Sequence, residues 1–271
     1  MAVINVIIIF KFIWNRKNRK NLFNFAFMKR KVIVIGASSG IGRYLAEHYA
    51  AKGCAVGIAA RREEALKEIK SKFSNDVHYC VMDVTSQGAS ELFCSMIEAL
   101  GGVDLVIYCS GAGKYSEMLD SSIEHHTVDV NVRGFLNIVV PAFNFFVQTG
   151  EKRPISPQIV VVSSVASVRG LGPTPSYSAT KRFQRLYFEA LEQRAHKIGL
   201  DITLTSIMPG FVDTDFISRK YPFTMQLHYA AERIVKAIEK RKREAVIDWK
   251  WSIIVSLMKL VPSFLWKRIV I

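Results

Sequence analysis

The chain has little cysteine and no cysteine pairing pattern. Its four cysteines include no CxxC pair and no spacing typical of a zinc site. They are Cys54, Cys80, Cys94 and Cys109. This pattern argues against a disulfide framework, and we expect reduced thiols in an intracellular protein. No metal site is predicted, because the adjacent pair His125-His126 would point about 100° apart on a helix.

The chain also lacks a basic face interleaved with aromatic residues, which argues against nucleic acid binding. Its formal net charge of +14 over 271 residues lies mostly at the two ends. Residues 1–27 carry five basic residues and no acidic one, and residues 240–271 carry eight basic residues against two acidic ones. Both ends are rich in Trp, Phe and Ile, so the pattern favours an anionic membrane surface as a partner.

Residues 1–27 are predicted to stand apart from the rest of the chain. The apolar run Met1–Trp14 is interrupted by Lys11 and is too short for a bilayer roughly 30 Å thick. Its charges follow the apolar run, unlike those of a signal peptide. We therefore expect an over-extended start or dispensable appendage, or alternatively a membrane-surface anchor. A catalytic domain is expected over 28–248 and a basic apolar tail over 249–271.

From residue 31 onward, short apolar runs alternate with helical patterns. The predicted strands are Val32–Ile35, Cys54–Ala60, Val77–Met82, Val103–Cys109, Gln158–Ser163, Ile202–Met208 and Ala245–Ile247. With 50% hydrophobic residues, the chain can bury one large core. The pattern predicts a single α/β domain, a Rossmann-like doubly wound parallel sheet with helices on both faces. A ligand then binds beyond the carboxyl ends of the strands.

A glycine-rich loop follows the first predicted strand. Gly36, Gly40 and Gly42 stand between an apolar strand and an amphipathic helix, the context of a dinucleotide site. Gly36 permits a tight turn, Gly40 lets the backbone approach a pyrophosphate, and Gly42 allows close packing of the helix. The N-terminus of that helix supplies free N–H groups for the phosphates.

The end of the second predicted strand carries no acidic residue. A carboxylate at this place would bond the ribose 2′-hydroxyl of NAD. The chain instead has Arg61 and Arg62 there, and the guanidinium of Arg61 can bind a 2′-phosphate through two charge-assisted bonds. The sequence therefore predicts a preference for NADP(H).

Tyr177 and Lys181 lie four residues apart, on one face of a predicted helix. A tyrosine of ordinary pKa, about 10, is a poor acid–base catalyst near neutrality. Lys181, together with an oxidised nicotinamide, would favour the phenolate and lower that pKa. Ser164 directly follows the predicted strand Gln158–Ser163 and could donate a hydrogen bond to a substrate oxygen. The three residue types predict redox chemistry on a carbonyl or an alcohol.

Taken together, these motifs resemble the short-chain dehydrogenase/reductase family over roughly residues 30–248. The motifs in register are Gly36–Gly42, Asp83-Val84, Asn131-Val132-Arg133-Gly134, Ser164, Tyr177-x-x-x-Lys181 and Pro209–Thr214. The resemblance selects Ser164 over Ser163. It also implies that Asn131 holds a water that relays protons from Lys181. The implied catalytic set is Asn131, Ser164, Tyr177 and Lys181.

The resemblance also implies an NADP(H) site. Its residues are Gly36, Ser38, Ser39, Gly40, Ile41, Gly42, Arg61, Arg62, Asp83, Val84, Ser110, Gly111, Tyr177, Lys181, Pro209, Gly210, Val212 and Thr214. Asp83 is expected to bond the adenine amino group, and Thr214 the nicotinamide amide or the phosphates. The chain departs from the family where relatives have Asn-Asn-Ala-Gly and it has Tyr108-Cys109-Ser110-Gly111. We expect the asparagine bonds that stabilise the sheet to be lost there.

The substrate is predicted to be a hydrophobic ketone or secondary alcohol. The loops expected to line the pocket, Val165–Leu171 and Phe216–Met225, are largely apolar. Among similar reductases, those acting on 3-ketosphinganine, in lipid metabolism at a membrane face, are the favoured resemblance. The alternatives are a cytosolic reductase of small aldehydes and ketones, and a catalytically idle NADP-binding scaffold.

The tail 249–271 is predicted to form two short helices around Pro262. Its Trp and Lys/Arg content favours a position in a membrane interface. The alternative is packing on its own domain or on a dimer partner. We expect a cytoplasmic protein, peripheral at a membrane, and the resemblance implies a homodimer or homotetramer.

Overall fold

A seven-stranded parallel sheet organises the protein, with the strand order β3-β2-β1-β4-β5-β6-β7. The computed structural model describes residues 29–73, 76–115, 118–150, 155–217 and 221–269. The strands are β1 Lys31–Ile35, β2 Ala55–Ala60, β3 Val77–Val81, β4 Leu105–Tyr108, β5 Gln158–Val162, β6 Thr203–Pro209 and β7 Glu244–Ile247. The predicted doubly wound parallel sheet is confirmed.

Helices connect the strands. They are α1 Gly40–Ala51, α2 Glu63–Lys72, α3 Ala89–Ala99, α4 Ser121–Val128, α5 Gly134–Thr149, α6 Pro175–Lys197, α7 Leu227–Glu239, α8 Trp249–Leu260 and α9 Ser263–Trp266. A π-helical turn, Asp129–Arg133, joins α4 to α5, and a 3-10 turn, Val165–Ser167, follows β5. The chain divides into Met1–Arg30 and Lys31–Ile271, and the sheet and helices belong to the second unit. The predicted appendage, residues 1–27, lies outside the described residues.

The core consists of two apolar layers, one on each face of the sheet. Along β1, Val32 and Val34 face the layer that contains α1 and α7. Ile33 and Ile35 face the layer that contains α3 and α5. A strand whose two faces are both covered must be apolar at successive positions. This explains why the central strands read as continuous apolar runs in the sequence.

The continuous helical stretch Ser121–Thr149 is long and apolar enough to cross a membrane by length and composition. Half of its most apolar window is buried inside the protein. Phe135, Phe143 and Phe146 are at most 2% exposed and pack in the layer with α3. The stretch therefore has the contacts of a core helix.

The tail forms the two predicted helices, α8 and α9, on either side of Pro262, and it packs on its own domain. Trp251 is 8% exposed and lies edge-on to Phe211, with ring centroids 5.5 Å apart. Arg169, in the loop after β5, donates to the carbonyls of Met258 and Val261.

The shorter helix α9 contacts the same loop. The indole N–H of Trp266 donates to the carbonyl of Gly170 at 2.9 Å, and the ring lies 5.7 Å from the Arg169 guanidinium. Of the two positions expected for the tail, the structure shows contact with its own domain, and one apolar face of α8 stays exposed.

Gly210 provides the space in which the tail docks. A Cβ on Gly210 would lie 2.1 Å from the Trp251 ring, so Gly210→Ala must displace α8. We expect the free energy of unfolding to fall by about 1–3 kcal/mol, as in other overpacked cores. Urea titration followed by tryptophan fluorescence measures it. Gly172→Ala is the matched control, since nothing lies within 4 Å of its Cβ. Equal stability of the two variants would contradict this docking.

Candidate active site

The glycine-rich loop after β1 packs tightly against the end of β4. Gly36 and Gly40 have φ of 85° and 53°, a conformation that favours glycine. A Cβ on Gly36 would lie 2.7 Å from the amide nitrogen of Ser110, and one on Gly42 would lie 2.1 Å from the Gly36 carbonyl oxygen. All three glycines are therefore required sterically, either for the turn or for close packing.

This loop fits a dinucleotide. The N-cap residue of α1, Ser39, makes no side-chain hydrogen bond to the helix. The first N–H groups of α1 therefore remain suited to a phosphate. Gly40 faces Thr214, since its Cβ would lie 3.2 Å from the Thr214 methyl group. The loop after β6 thus meets the glycine loop, and Ile41 continues into the helix.

The carboxyl ends of β2 and β3 carry the predicted adenosine contacts. Arg62 donates from Nε and Nη2 to Ser38 Oγ, at 3.2 and 3.1 Å. Asp83 is exposed, and its Oδ1 accepts from the N–H and hydroxyl of Thr85. Burial opposes ionisation of Asp83, but the Thr85 bonds and the Arg61 charge outweigh it and lower the pKa of Asp83. Two cations and an anion therefore surround the end of the sheet where an adenosine would lie.

The structure brings Ser164, Tyr177 and Lys181 together at the end of β5. The hydroxyl of Ser164 lies close enough to Tyr177 to lower the pKa of that phenol. Ser164 Oγ also accepts from the N–H of Ala166 at 3.1 Å, which fixes its rotamer. Lys181 is 3% exposed, and its Nζ donates to the Val162 carbonyl at 3.0 Å and lies 5.7 Å from the Tyr177 ring centroid.

Asn131 lies in the π-helical turn and clamps the loop after β4. Its Nδ2 donates to the Ala112 carbonyl at 2.7 Å and to Thr180 Oγ1 at 3.0 Å, and its Oδ1 accepts from the Ala112 N–H at 2.9 Å. Its own carbonyl accepts from the Gln184 side chain at 2.9 Å. Gly111 lies between this clamp and Lys181, because its Cβ would be 3.3 Å from Lys181 Nζ and 3.6 Å from Asn131 Oδ1.

The electrostatics differ from the expectation for Tyr177. Removal from water raises the pKa of Tyr177, and the Ser164 hydroxyl offsets only part of this effect. The expected lowering by Lys181 is therefore not seen in the protein by itself. Burial lowers the pKa of Lys181 to about 8, which weakens its capacity to act as a fixed positive charge.

Two residues of the site were missed by the sequence reasoning. A Cβ on Gly113 would lie 2.3 Å from the Tyr177 ring, so this glycine sets how closely the loop after β4 approaches the phenol. In the sequence, Gly113 is marked only by its position two residues after Gly111. Tyr108, buried completely, donates its hydroxyl to the Val130 carbonyl at 2.8 Å. This bond connects β4 to the π-helical turn. It therefore replaces part of the hydrogen bonding that we expected to be lost where this chain lacks the Asn-Asn-Ala-Gly sequence of its relatives.

The loop after β6 brings aromatic side chains to the same place. Phe216 lies beside Tyr177, with ring centroids 5.8 Å apart, and is half exposed. Phe211 stacks on Tyr221 at 4.1 Å. Val212 pairs with Met225 in a short bridge that closes the base of the loop. Residues 218–220 of this predicted pocket lie outside the described part of the chain.

Residues 30–223 match the family model described as short chain dehydrogenase. The chain belongs to the short-chain dehydrogenase family. It is similar to an uncharacterized oxidoreductase of Mycobacterium tuberculosis, 29% identical over 252 residues that cover 89% of this chain and 97% of the relative. An uncharacterized oxidoreductase of Myxococcus xanthus is 31% identical over 246 residues, covering 86% and 93%. A hydroxysteroid 11-beta-dehydrogenase 1-like protein of Xenopus tropicalis is 28% identical over 231 residues, covering 81% and 79%.

Solved structures of short-chain dehydrogenases share the fold. One from Burkholderia cenocepacia, in complex with NADP, superposes with a TM-score of 0.75 at 20% identity and covers 89% of this chain and 97% of its own. One from Streptomyces avermitilis has a TM-score of 0.73 at 21% identity, covering 84% and 92%. The protein is thus an oxidoreductase of this family with a Rossmann-like sheet.

The buried Lys181 makes a testable contribution to pH-dependent stability. Its pKa is about 8 in the folded protein and 10.5 in its ordinary state. Between these values the unfolded chain holds a proton that the folded protein has lost, so this residue makes the free energy of unfolding rise with pH. A shift of this size corresponds to roughly 3 kcal/mol over the whole window.

We therefore expect the stability of the wild type, relative to Lys181→Met, to increase from pH 8 to pH 10. Urea titrations of both proteins at each pH measure the difference. A constant difference across this window would mean that the buried Lys181 keeps its proton as it does in the unfolded chain, so that burial does not lower its pKa.

Proposed function

We propose that the protein is an NADP(H)-dependent oxidoreductase that interconverts a hydrophobic ketone and its secondary alcohol. The observation that carries the proposal is the placement of Ser164 beside Tyr177 at the end of β5, with Nζ of the buried Lys181 5.7 Å from the centroid of the Tyr177 ring. A nicotinamide cofactor, when bound, would supply the hydride to the carbonyl carbon or accept it from the alcohol. The residues of this chain would then handle the oxygen and its proton.

In the reducing direction, Tyr177 donates its hydroxyl proton to the carbonyl oxygen as that oxygen gains negative charge. Ser164 donates a hydrogen bond to the same oxygen and stabilises it. The ammonium of Lys181 stabilises the phenolate that remains on Tyr177. In the oxidising direction, the phenolate removes the proton from the alcohol. The water relay at Asn131 remains a prediction, supported by the position of Asn131 next to Gly111 and Lys181.

The preference for NADP(H) is supported by the charge at the end of β2. Arg61 and Arg62 are exposed there, and no acidic residue takes the place that would bind a ribose 2′-hydroxyl. Arg62 already holds Ser38 of the glycine loop, so its guanidinium faces the phosphate-binding loop. The Burkholderia cenocepacia structure, solved in complex with NADP, has the same fold.

Arg62→Ala is expected to lower kcat/KM for NADPH by roughly 10- to 100-fold, since a hydrogen bond to a charged group contributes about 1.5–3 kcal/mol. The value for NADH should change little, because NADH has no 2′-phosphate. Initial rates with both cofactors measure the ratio. Lys67→Ala is the control, as Lys67 lies on α2 and pairs with Glu63 and Glu64. Equal losses with NADPH and NADH would point to a structural role for Arg62.

The proposed substrate is hydrophobic, with lipid ketones such as 3-ketosphinganine as the favoured class. The aromatic residues Phe216, Phe211 and Tyr221 beside Tyr177 support it. A relative whose name refers to a hydroxysteroid dehydrogenase also fits an alcohol on an apolar skeleton. We further propose a cytoplasmic location at a membrane face and a homodimer or homotetramer formed through α5 and α6, where Val147 and Leu186 are exposed.

The test of function is NADPH oxidation by the full chain, with detergent-dispersed 3-ketosphinganine beside a panel of small aldehydes and ketones. Tyr177→Phe removes only the proton donor and is expected to lower kcat by at least about 100-fold. Tyr79→Phe is the matched control, because that hydroxyl bonds Glu63 at the surface.

The outcomes separate the candidate functions. A marked preference for the lipid ketone supports the proposal. Turnover of small carbonyls alone replaces it with a general cytosolic reductase. If the wild type turns over no member of the panel although NADPH binds, a catalytically idle scaffold becomes the better description.

A further inference from the structure

Helix α8 is apolar on two opposite faces. Its inner face packs on the domain through Trp251 and Val255, which are 8% and 3% exposed. Its exposed apolar residues form an outer stripe within a sector of about 80° at the helical repeat of 100° per residue. They are Trp249, Ile253, Leu257 and Leu260, and they are 64%, 53%, 58% and 77% exposed. A surface helix normally presents polar residues on the side that the domain leaves free.

The exposed apolar surface continues beyond α8. In α9, Phe264 and Leu265 are 61% and 44% exposed. At the start of α8, Phe223 of the loop after β6 is 56% exposed. Lys250 Nζ lies 5.8 Å from the Phe223 ring and 5.9 Å from the Trp249 ring, which places these rings on one side of the molecule. We call the surface formed by the α8 stripe, Phe223, Phe264 and Leu265 the outer face.

Positive charge surrounds the outer face. Lys250 and Lys259 leave α8 on opposite flanks of the stripe, and Lys267 and Arg268 follow α9. Residues 249–269 contain no acidic residue. The aliphatic part of each of these lysines can lie beside the apolar stripe while its ammonium group stays in water. This arrangement is typical of helices at the boundary between water and lipid.

A basic cavity of about 330 Å³ lies on one flank of α8, between that helix, α7 and β7. Four cations line it, with one carboxylate and the hydroxyl of Ser252. The cations are Arg233, Lys236, Lys240 and Lys242, and the carboxylate is that of Glu244. The cavity therefore suits anionic groups, and its position beside α8 sets that charge next to the apolar stripe.

We propose that the outer face docks on an anionic membrane surface, with the α8 stripe at the level of the acyl chains and lipid phosphates next to the flanking cations. A second copy of this chain is a poorer occupant. A twofold contact through the same face would bring its cations against their own copies, with no acidic residue of α8 or α9 to offset them.

Docking of this face also positions the substrate loops. Phe223 belongs to the outer face, and Arg169 of the loop after β5 holds the carbonyls of Met258 and Val261 at the end of α8. If the proposed function is correct, an apolar substrate can then reach Tyr177 from the bilayer without crossing bulk water. Docking itself does not depend on that function.

The experiment is co-sedimentation of the full chain with vesicles of phosphatidylcholine alone and with 30% phosphatidylglycerol. Ile253→Ser/Leu257→Ser removes two apolar side chains from the stripe and is expected to lower the partition coefficient by at least about tenfold. Leu92→Ser is the control, because Leu92 is 40% exposed on α3, across the sheet from α8. Reduction of a water-soluble carbonyl, together with circular dichroism, checks that each variant is folded and that the site is intact.

A loss of binding to the anionic vesicles in the double variant alone, with folding kept, supports docking. Unchanged vesicle binding in that variant overturns the proposal and assigns membrane contact elsewhere in the chain. Failure of the wild type to bind either vesicle also overturns it. Analytical ultracentrifugation tests the alternative occupant. If the double variant has a lower oligomeric state than the wild type, the outer face is a contact between copies of the chain and not a membrane surface.

Discussion

The burial of the Lys181 ammonium is the constraint on which the rest of the site depends. A buried cation needs a nearby acceptor, and the Val162 carbonyl at the end of β5 provides it. Ser163 bonds the Lys181 carbonyl, so the strand end and α6 are fixed to each other. Gly111 leaves space for the ammonium on the other side. The same contacts hold Tyr177 one helical turn away, within reach of Ser164. The position of the phenol thus follows from the way in which the lysine is buried.

Asn131 extends this arrangement to the neighbouring strand. The π-helical turn places its amide against Ala112 and Thr180, which joins the loop after β4 to α6. Tyr108 adds a second link, from β4 to the same turn. The loop that passes Tyr177 is therefore held by side chains from two directions, and Gly113 allows it to approach the ring. The bonds of Asn131 and Tyr108 therefore hold the loop after β4 in place beside Tyr177, and neither of them involves the tail.

The tail connects this catalytic end to the surface of the molecule. Trp251 fills the space over Gly210, directly after β6, and Arg169 bonds the last turn of α8. Helix α8 therefore has one apolar face committed to the domain and one left open. The charge of the chain is concentrated at its two ends while the residues between them are close to neutral. The open apolar face and the basic residues consequently occur in the same segment.

The sequence by itself determined the sheet, because strands buried on both faces must be apolar throughout. The alternation of these strands with helical patterns indicated that the strands are parallel. The four-residue spacing of Tyr177 and Lys181 and the glycine loop are likewise local features that a sequence displays. The pKa of Lys181, the raised pKa of Tyr177, the role of Gly113 and the contact of Trp251 with Gly210 were decided only by the tertiary structure. Each depends on which distant segments enclose a group, and no local pattern in the chain records that enclosure.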